Sequence, residues 1–328
     1  MIFTKESNAF IARLWRNKED MYAPIIVFAY NRPEHLERTL KALSANPEAK
    51  DSSLFVFIDG PKNELEKKKN KQVESVAQKQ TKGCFASVTI SNYIENRGLA
   101  KSVISGVTEI ISRYGKVIVT EDDAIPAISY LKFMNEALDF YDNNLSIWSI
   151  GGYTVPMGVP GDYVHDIILT QRSSSYAWAT WKNRWERIDW SVSDYKKFHW
   201  NFVARKRFNL WGDDRASMLD DQMLGRVNSW AIRFDYAMFR NGMYNILPRR
   251  SLIQNIGHDG SGTHSMKDSS GNDPFAIELP SESCSFVLSD VTIDDRIRRE
   301  FIKPFRSTKR DLIKRFLGNL VIGWKKNV

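Results

Sequence analysis

The chain has 328 residues, 42% hydrophobic and 26% charged, with a formal net charge of +8. That is the make-up of an ordinary globular protein, in one large domain or two closely packed ones. Two cysteines, Cys84 and Cys284, exclude a disulfide framework and a cysteine metal cluster, and fit a reducing compartment.

The charge is unevenly placed. Residues 296–328 hold eleven Lys/Arg and two Asp/Glu, a balance of +9, and the rest of the chain sums to −1. A broad nucleic-acid-binding face is therefore not expected, and a local anionic partner is. The N-terminal residues carry scattered charges and lack the apolar run of a secretory signal. No stretch of about 18 apolar residues predicts a spanning helix. A cytoplasmic protein is expected.

In chain order, residues 1–21 suggest a short amphipathic helix around Phe10, Ile11, Leu14 and Trp15. Residues 24–30 (PIIVFAY) are continuously apolar and predict a buried strand. Asn31 and Pro33 suit a helix start, and Leu36, Leu40 and Leu43 follow at helical spacing. Residues 54–58 predict a second strand ending at the turn Asp59-Gly60-Pro61. A charged helix opens at Glu64, with Val73, Val76 and Ala77 facing inward. Residues 85–90 predict a third strand, and 96–98 a loop. Residues 99–114 predict a helix with Val103, Ile104, Val107, Ile110 and Ile111 on its inner face. Residues 117–119 then predict a short strand running into Glu121, Asp122 and Asp123.

Strand and helix thus alternate four times, with solidly apolar strands. This predicts an α/β fold, a mostly parallel sheet with helices on both faces. Ligands of such sheets sit at the carboxyl ends of the strands. Arg32, Asp59, Arg97 and the acidic triplet all fall just past strand ends. Three adjacent carboxylates repel one another. They form either a solvated acidic turn or a site for a hard cation, Mn²⁺ or Mg²⁺, shared with a diphosphate. No GxGxxG follows the first strand and no GxxxxGK[ST] occurs, which weakens dinucleotide-oxidoreductase and P-loop readings.

Beyond Pro126, residues 130–141 predict a helix and 146–150 a strand. The middle of the chain is rich in tryptophan, with Trp178, Trp181, Trp185, Trp190, Trp200 and Trp211. Such density fits either sugar stacking at an acceptor site or an aromatic core. Residues 255–264 are glycine-rich and predict a loop able to close over a ligand.

Residues 24–33, 57–60 and 119–123, followed by 145–150, occur in the order found in GT-A nucleotide-sugar glycosyltransferases. The chain resembles the eukaryotic N-acetylglucosaminyltransferase family that begins complex N-glycans. Its second half looks like related bacterial sugar transferases. The resemblance covers roughly residues 24–264.

It implies a GT-A (Rossmann-like) sheet. Residues 23–125 would form the nucleotide-sugar subdomain and 126–295 the acceptor and catalytic subdomain. Residues 1–22 would be a helical extension and 296–328 a basic tail. It implies a UDP-sugar donor and transfer to a glycan or lipid-linked glycan in bacterial surface polysaccharide synthesis.

By the same resemblance, Asp123 binds the metal, Arg32 and Arg97 contact the nucleotide, Asp59 accepts from the uracil, and Glu121 and Asp122 hold donor hydroxyls. Trp178 and Trp181 would face the acceptor. An inverting transfer is expected, with Asp235 as the implied base, Asp220 and Asp221 as rivals, and pairing with Arg233 or Arg240 as the plain alternative. In a retaining enzyme His258 or His264 would join the metal shell, and either could instead touch phosphate or be solvated. A nucleotidyltransferase and a non-catalytic carbohydrate-binding protein are the competing readings.

In the tail, Leu312, Ile313, Phe316, Leu317, Leu320, Val321 and Trp324 recur at helical spacing among basic residues. Residues 309–328 fit a basic amphipathic helix, lying on an anionic membrane surface or packed on protein.

Overall fold

The computed structural model describes residues 22–259 and 275–306. The expected helix at residues 1–21, His264 and the basic helix at 309–328 lie outside the described residues. The first half follows its sequence pattern closely. β1 (Ile25–Ala29) is wholly buried, and α1 (Pro33–Ser44) starts on Pro33, whose missing N–H is no loss in a first turn. β2 (Ser53–Ile58) leads to α2 (Glu64–Thr81), capped by the Asn63 side chain accepting from the Glu66 N–H. β3 (Ser87–Asn92) and α3 (Leu99–Tyr114) follow. Gly115, at φ 77°, ends α3 in the left-handed region and turns the chain into β4 (Lys116–Glu121). The four strands lie parallel in the order β3-β2-β1-β4.

The third strand sits two residues later than its sequence suggests. Phe85 is buried ahead of the strand, and β3 itself is a largely exposed edge. The central strands alternate between two cores. Ile25, Val27, Leu54 and Val56 face the layer of α1 and α2, whereas Ile26, Phe28, Phe55 and Phe57 face α3. Burial on both faces explains why these strands are apolar throughout rather than alternating.

The second half completes the sheet in mixed directions. β5 (Ala124–Pro126), α4 (Tyr130–Phe140), β6 (Ile147–Gly151), β7 (Ile167–Thr170) and β8 (Ala177–Trp181) come next. The helices α5 (Lys182–Trp185), α6 (Tyr195–His199), α7 (Phe202–Phe208), α8 (Arg215–Met223) and α9 (Trp230–Arg240) follow. β9 (Tyr244–Pro248), β10 (Ile253–Asn255) and α10 (Asp295–Phe301) complete the set. β8 runs antiparallel to β4, and the eight-stranded sheet continues β8-β6-β9-β7. The mostly parallel expectation therefore holds for the first half, and the second half mixes both directions. One sheet crosses the boundary expected at residue 125.

The antiparallel entry of β8 has a positional consequence. Ala177 pairs with Thr120, so the loop before β8 reaches the carboxyl end of β4, beside the acidic triplet.

Two expectations are corrected here. Trp178 and Trp181 are 1% and 3% exposed, so neither ring offers a face to an acceptor. Trp178 stacks on Trp185 and Trp230 and packs against Phe234, and the Trp181 indole N–H donates to the Leu138 carbonyl. The start of the basic tail is also core. Ile297 and Phe301 are buried, and Phe301 meets Trp211 edge to face. Among the described residues no helix is long and apolar enough to cross a membrane.

Trp178→Ala is expected to destabilise the fold by about 3–5 kcal/mol, the range for an emptied aromatic core position. Urea unfolding checks this. An acceptor-binding tryptophan would instead leave stability untouched and raise KM.

Candidate active site

β1 and β4 are neighbours, with Phe28 in register with Glu121. The chain leaving β1 therefore arrives beside the acidic triplet, which is what brings Arg32 to it. The Arg32 guanidinium pairs with Asp122 and, at 2.8 Å, with Asp123. The Asp122 carbonyl accepts from the Thr39 hydroxyl of α1 at 2.7 Å.

From the other side β10 pairs antiparallel with β5, and the Ile256 N–H donates to the Asp123 carbonyl at 2.8 Å. Gly257 then lies directly on the carboxylate. A Cβ there would fall 2.1 Å from Asp123 Oδ2, so any larger residue would have to displace the carboxylate from its place on Arg32. Of the loop expected at residues 255–264, Asn255 instead ends β10, Gly257–Asp259 form a 3-10 turn against the triplet, and 260–264 lie outside the described residues.

The triplet is short of positive charge. Three carboxylates meet one guanidinium, and two buried oxygens, Asp122 Oδ2 and Asp123 Oδ1, have no hydrogen-bond partner. An unpaired buried carboxylate oxygen is costly. Burial pushes Asp122 up to about 6, with Arg32 pulling down and Asp123 pushing further up. Burial and the charges of Asp123 and Asp122 hold Glu121 well above the usual carboxylate range. Burial works against the charge on Arg32, but Asp122 and Asp123 outweigh it and keep the guanidinium firmly protonated.

A hard cation fits this arrangement, because Asp123 Oδ1 is an unoccupied oxygen, with Asp122 Oδ2 open beside it for a ligand's own groups. Among the described residues no cluster of three or more His, Cys, Asp or Glu forms a complete cage. A cation here would therefore need oxygens beyond those of the protein, such as a diphosphate's.

The other expected site residues divide into two groups. Asp59, Arg97 and His258 lie at or near the same strand ends. Asp59 organises the loop beyond β3: its carboxylate accepts from the N–H groups of Gly60, Arg97 and Gly98 and from the Asn96 side chain. With these four bonds its acceptor sites are filled. As placed here, the carboxylate is a loop anchor rather than an open acceptor for a base. The Arg97 guanidinium lies 4.2 Å from the Tyr93 ring centre and donates to the Ser105 hydroxyl. His258 follows Gly257, and its Nε2 is 3.5 Å from the Tyr176 hydroxyl.

Asp235, Asp220 and Asp221 are elsewhere engaged. Asp235 is buried on α9, where Oδ1 accepts from the Ser173 N–H (2.8 Å) and hydroxyl, and Oδ2 takes the Arg215 Nε at 2.7 Å. Its ion-pair partner is neither Arg233 nor Arg240. Asp220 is bidentate to Arg205, and Asp221 pairs with Arg226 at the surface. A carboxylate so committed is a poor base, since its lone pairs are already occupied.

Thr39, Tyr176 and Gly257 were not anticipated. Thr39 left a trace, as a polar residue on the inner face otherwise formed by Leu36, Leu40 and Leu43. The place of Tyr176 depends on the antiparallel course of β8, which its local sequence does not signal.

No protein-family model matches the chain, and no curated protein matches its sequence. Among solved structures it is similar to S. aureus TarS, with a TM-score of 0.42 and 13% identity, over 71% of this chain and 36% of that one. The chain thus spans about a third of that protein's length. The TarS 1-349 structure gives the same TM-score and identity, with 60% of that chain covered. The mannosyltransferase PcManGT from Pyrobaculum calidifontis, in complex with GDP-Man and Mn²⁺, is similar at a TM-score of 0.39 and 12% identity, over 71% and 74% of the two chains. Likeness at this level assigns no activity here.

The raised carboxyl of Asp122 has a definite sign. The folded state binds this proton more tightly than the unfolded chain, so its contribution to stability falls as pH rises from about 4 to about 6. In chelator-treated protein, Asp122→Asn is expected to flatten the decline in stability over this window. Denaturant titrations of both proteins at pH 4.5 and 7 measure it. An unchanged slope would mean that Asp122 ionises as freely as an exposed carboxyl.

Proposed function

We propose that this chain is a metal-dependent glycosyltransferase that uses a nucleotide-sugar donor, with a UDP-sugar as the first candidate. The observation that carries the reading is the triplet itself. At the carboxyl end of a central strand, two buried carboxylate oxygens lack partners beside a single arginine, under a glycine-tight loop. Departure of a nucleoside diphosphate places negative charge on a phosphate oxygen. A bound Mn²⁺ or Mg²⁺ would offset that charge as a Lewis acid. Asp123 would hold the cation through its orphaned Oδ1. Arg32 supplies a fixed positive charge at the same point, and such preorganised charge needs no rearrangement during reaction. Glu121 and Asp122 are assigned to the donor's hydroxyls.

The acceptor side is assigned to the loop before β8. There a small cavity of about 140 Å³ is lined by Tyr153, Arg172, Ser174, Tyr176 and Phe275. The reading covers transfer to a hydroxyl of a glycan or lipid-linked glycan in surface polysaccharide synthesis, and takes no catalytic base from Asp235, Asp220 or Asp221.

Screening UDP- and GDP-sugars for Mn²⁺-dependent hydrolysis tests the reading without knowledge of the acceptor. At least one donor is expected to be cleaved, and Asp123→Ala should lower the rate by about 10²–10³, as for loss of one preorganised electrostatic contact. Its melting temperature should stay close to that of the parent. Near-normal turnover by the variant, or cleavage indifferent to chelator, would remove the metal from the mechanism.

A further inference from the structure

The helices α6 and α7 form a face that the catalytic reading leaves unused. Between Asp194 and Asp213 the sequence has no acidic residue. At helical spacing its residues sort cleanly into two faces. Tyr195, Phe198 and His199 of α6, and Arg205 and Phe208 of α7, turn inward. Lys196, Lys197, Lys206 and Arg207 turn outward and are exposed. Among these cations stand three large apolar side chains, Trp200, Phe202 and Val203, which are 65%, 78% and 71% exposed.

The inward faces are tightly held. Phe198 and Phe208 meet edge to face and pack on Tyr236 of α9. Asp220 of α8 ties the two helices together. It accepts from the Tyr195 hydroxyl at 3.0 Å, lies 3.2 Å from His199 Nδ1, and receives both Arg205 Nη groups at 2.9 and 2.7 Å. The outward face is thus set by the fold rather than by a loose loop. Exposing a tryptophan, a phenylalanine and a valine side by side costs hydration free energy and serves no packing purpose in the described chain.

We propose that the outer face of α6 and α7 binds anionic membrane surfaces. The chemistry fits on both counts. Apolar side chains ringed by cations, with an interfacial tryptophan, are the make-up of segments that lie in the plane of a bilayer. The cations match acidic lipid headgroups, and the lack of acidic residues between Asp194 and Asp213 limits the repulsion an anionic surface would otherwise meet. The side chains stand out from two short helices instead of lining a groove, which favours insertion into a fluid surface over capture of a peptide. The proposal does not draw on residues 309–328, and it holds or fails independently of the activity proposed above.

Sedimentation of the full chain with vesicles tests it, using phosphatidylcholine alone and phosphatidylcholine mixed with phosphatidylglycerol. The parent protein is expected to sediment with the mixed vesicles and not with the neutral ones. The full-length triple variant Trp200→Ser, Phe202→Ser, Val203→Ser should lose at least about tenfold in apparent partition. The variant with Gln at Lys196, Lys197, Lys206 and Arg207 should lose a similar amount together with the salt dependence. All substitutions lie on exposed positions, so both variants should melt as the parent does. Failure of the parent to bind mixed vesicles would overturn the proposal. So would variants that bind as tightly as the parent, the outcome if the C-terminal residues alone carry binding or if this face fits an acidic protein instead.

Discussion

The arrangement at the end of β4 turns on one shared guanidinium. Arg32 bridges Asp122 and Asp123, and everything near it serves that placement. The pairing of β1 with β4 sets the two strand ends side by side. Thr39 fixes the backbone at Asp122, and the pairing of β5 with β10 carries Gly257 onto the Asp123 carboxylate. One arginine cannot balance three acids in a partly buried site. The excess shows itself physically as two orphaned oxygens and as carboxyl groups that hold their protons more tightly than usual. A site built this way is poised for added positive charge, and on the proposed reading a cation brought in with a diphosphate would supply it.

The second half of the chain contributes position more than chemistry. Because β8 runs back against β4, the loop before it lands at the same end of the sheet as the triplet. Behind that loop, Ser173 is held by Asp235, which is itself held by Arg215. Removing one member of such a buried pair would leave the other charge uncompensated, so the network fixes the loop at some cost in desolvation. Asp220 performs a similar service for α6 and α7. Carboxylates that look catalytic by residue type are here structural anchors.

The legibility of the fold in the sequence follows from how local each determinant is. The strands β1, β2 and β4 and the helix α3 were readable, because apolar runs and 3.6-residue spacing are local signals. The site was half readable for the same reason. Arg32 and Asp123 lie immediately past strand ends, where a parallel sheet presents its ligand face. The rest depends on long-range pairing. Asp235 was expected near Arg233 or Arg240 on its own helix, yet its partner Arg215 comes from α8. Trp178 sits in a stretch whose composition is the same whether it lines a sugar site or a core. Only the flanking of β8 by β4 and β6 decides for the core. Asp59 looks like an open acceptor until the loop beyond β3 folds back and adds three donors to that of Gly60.

Manganese binding followed by electron paramagnetic resonance tests the central claim most directly, with and without UDP or GDP. A triplet that leaves coordination to be completed by a diphosphate should bind Mn²⁺ weakly alone and at least about tenfold more tightly with the nucleotide. Asp123→Asn should abolish that gain. Mn²⁺ binding that is indifferent to nucleotide, or a gain that survives Asp123→Asn, would contradict the account.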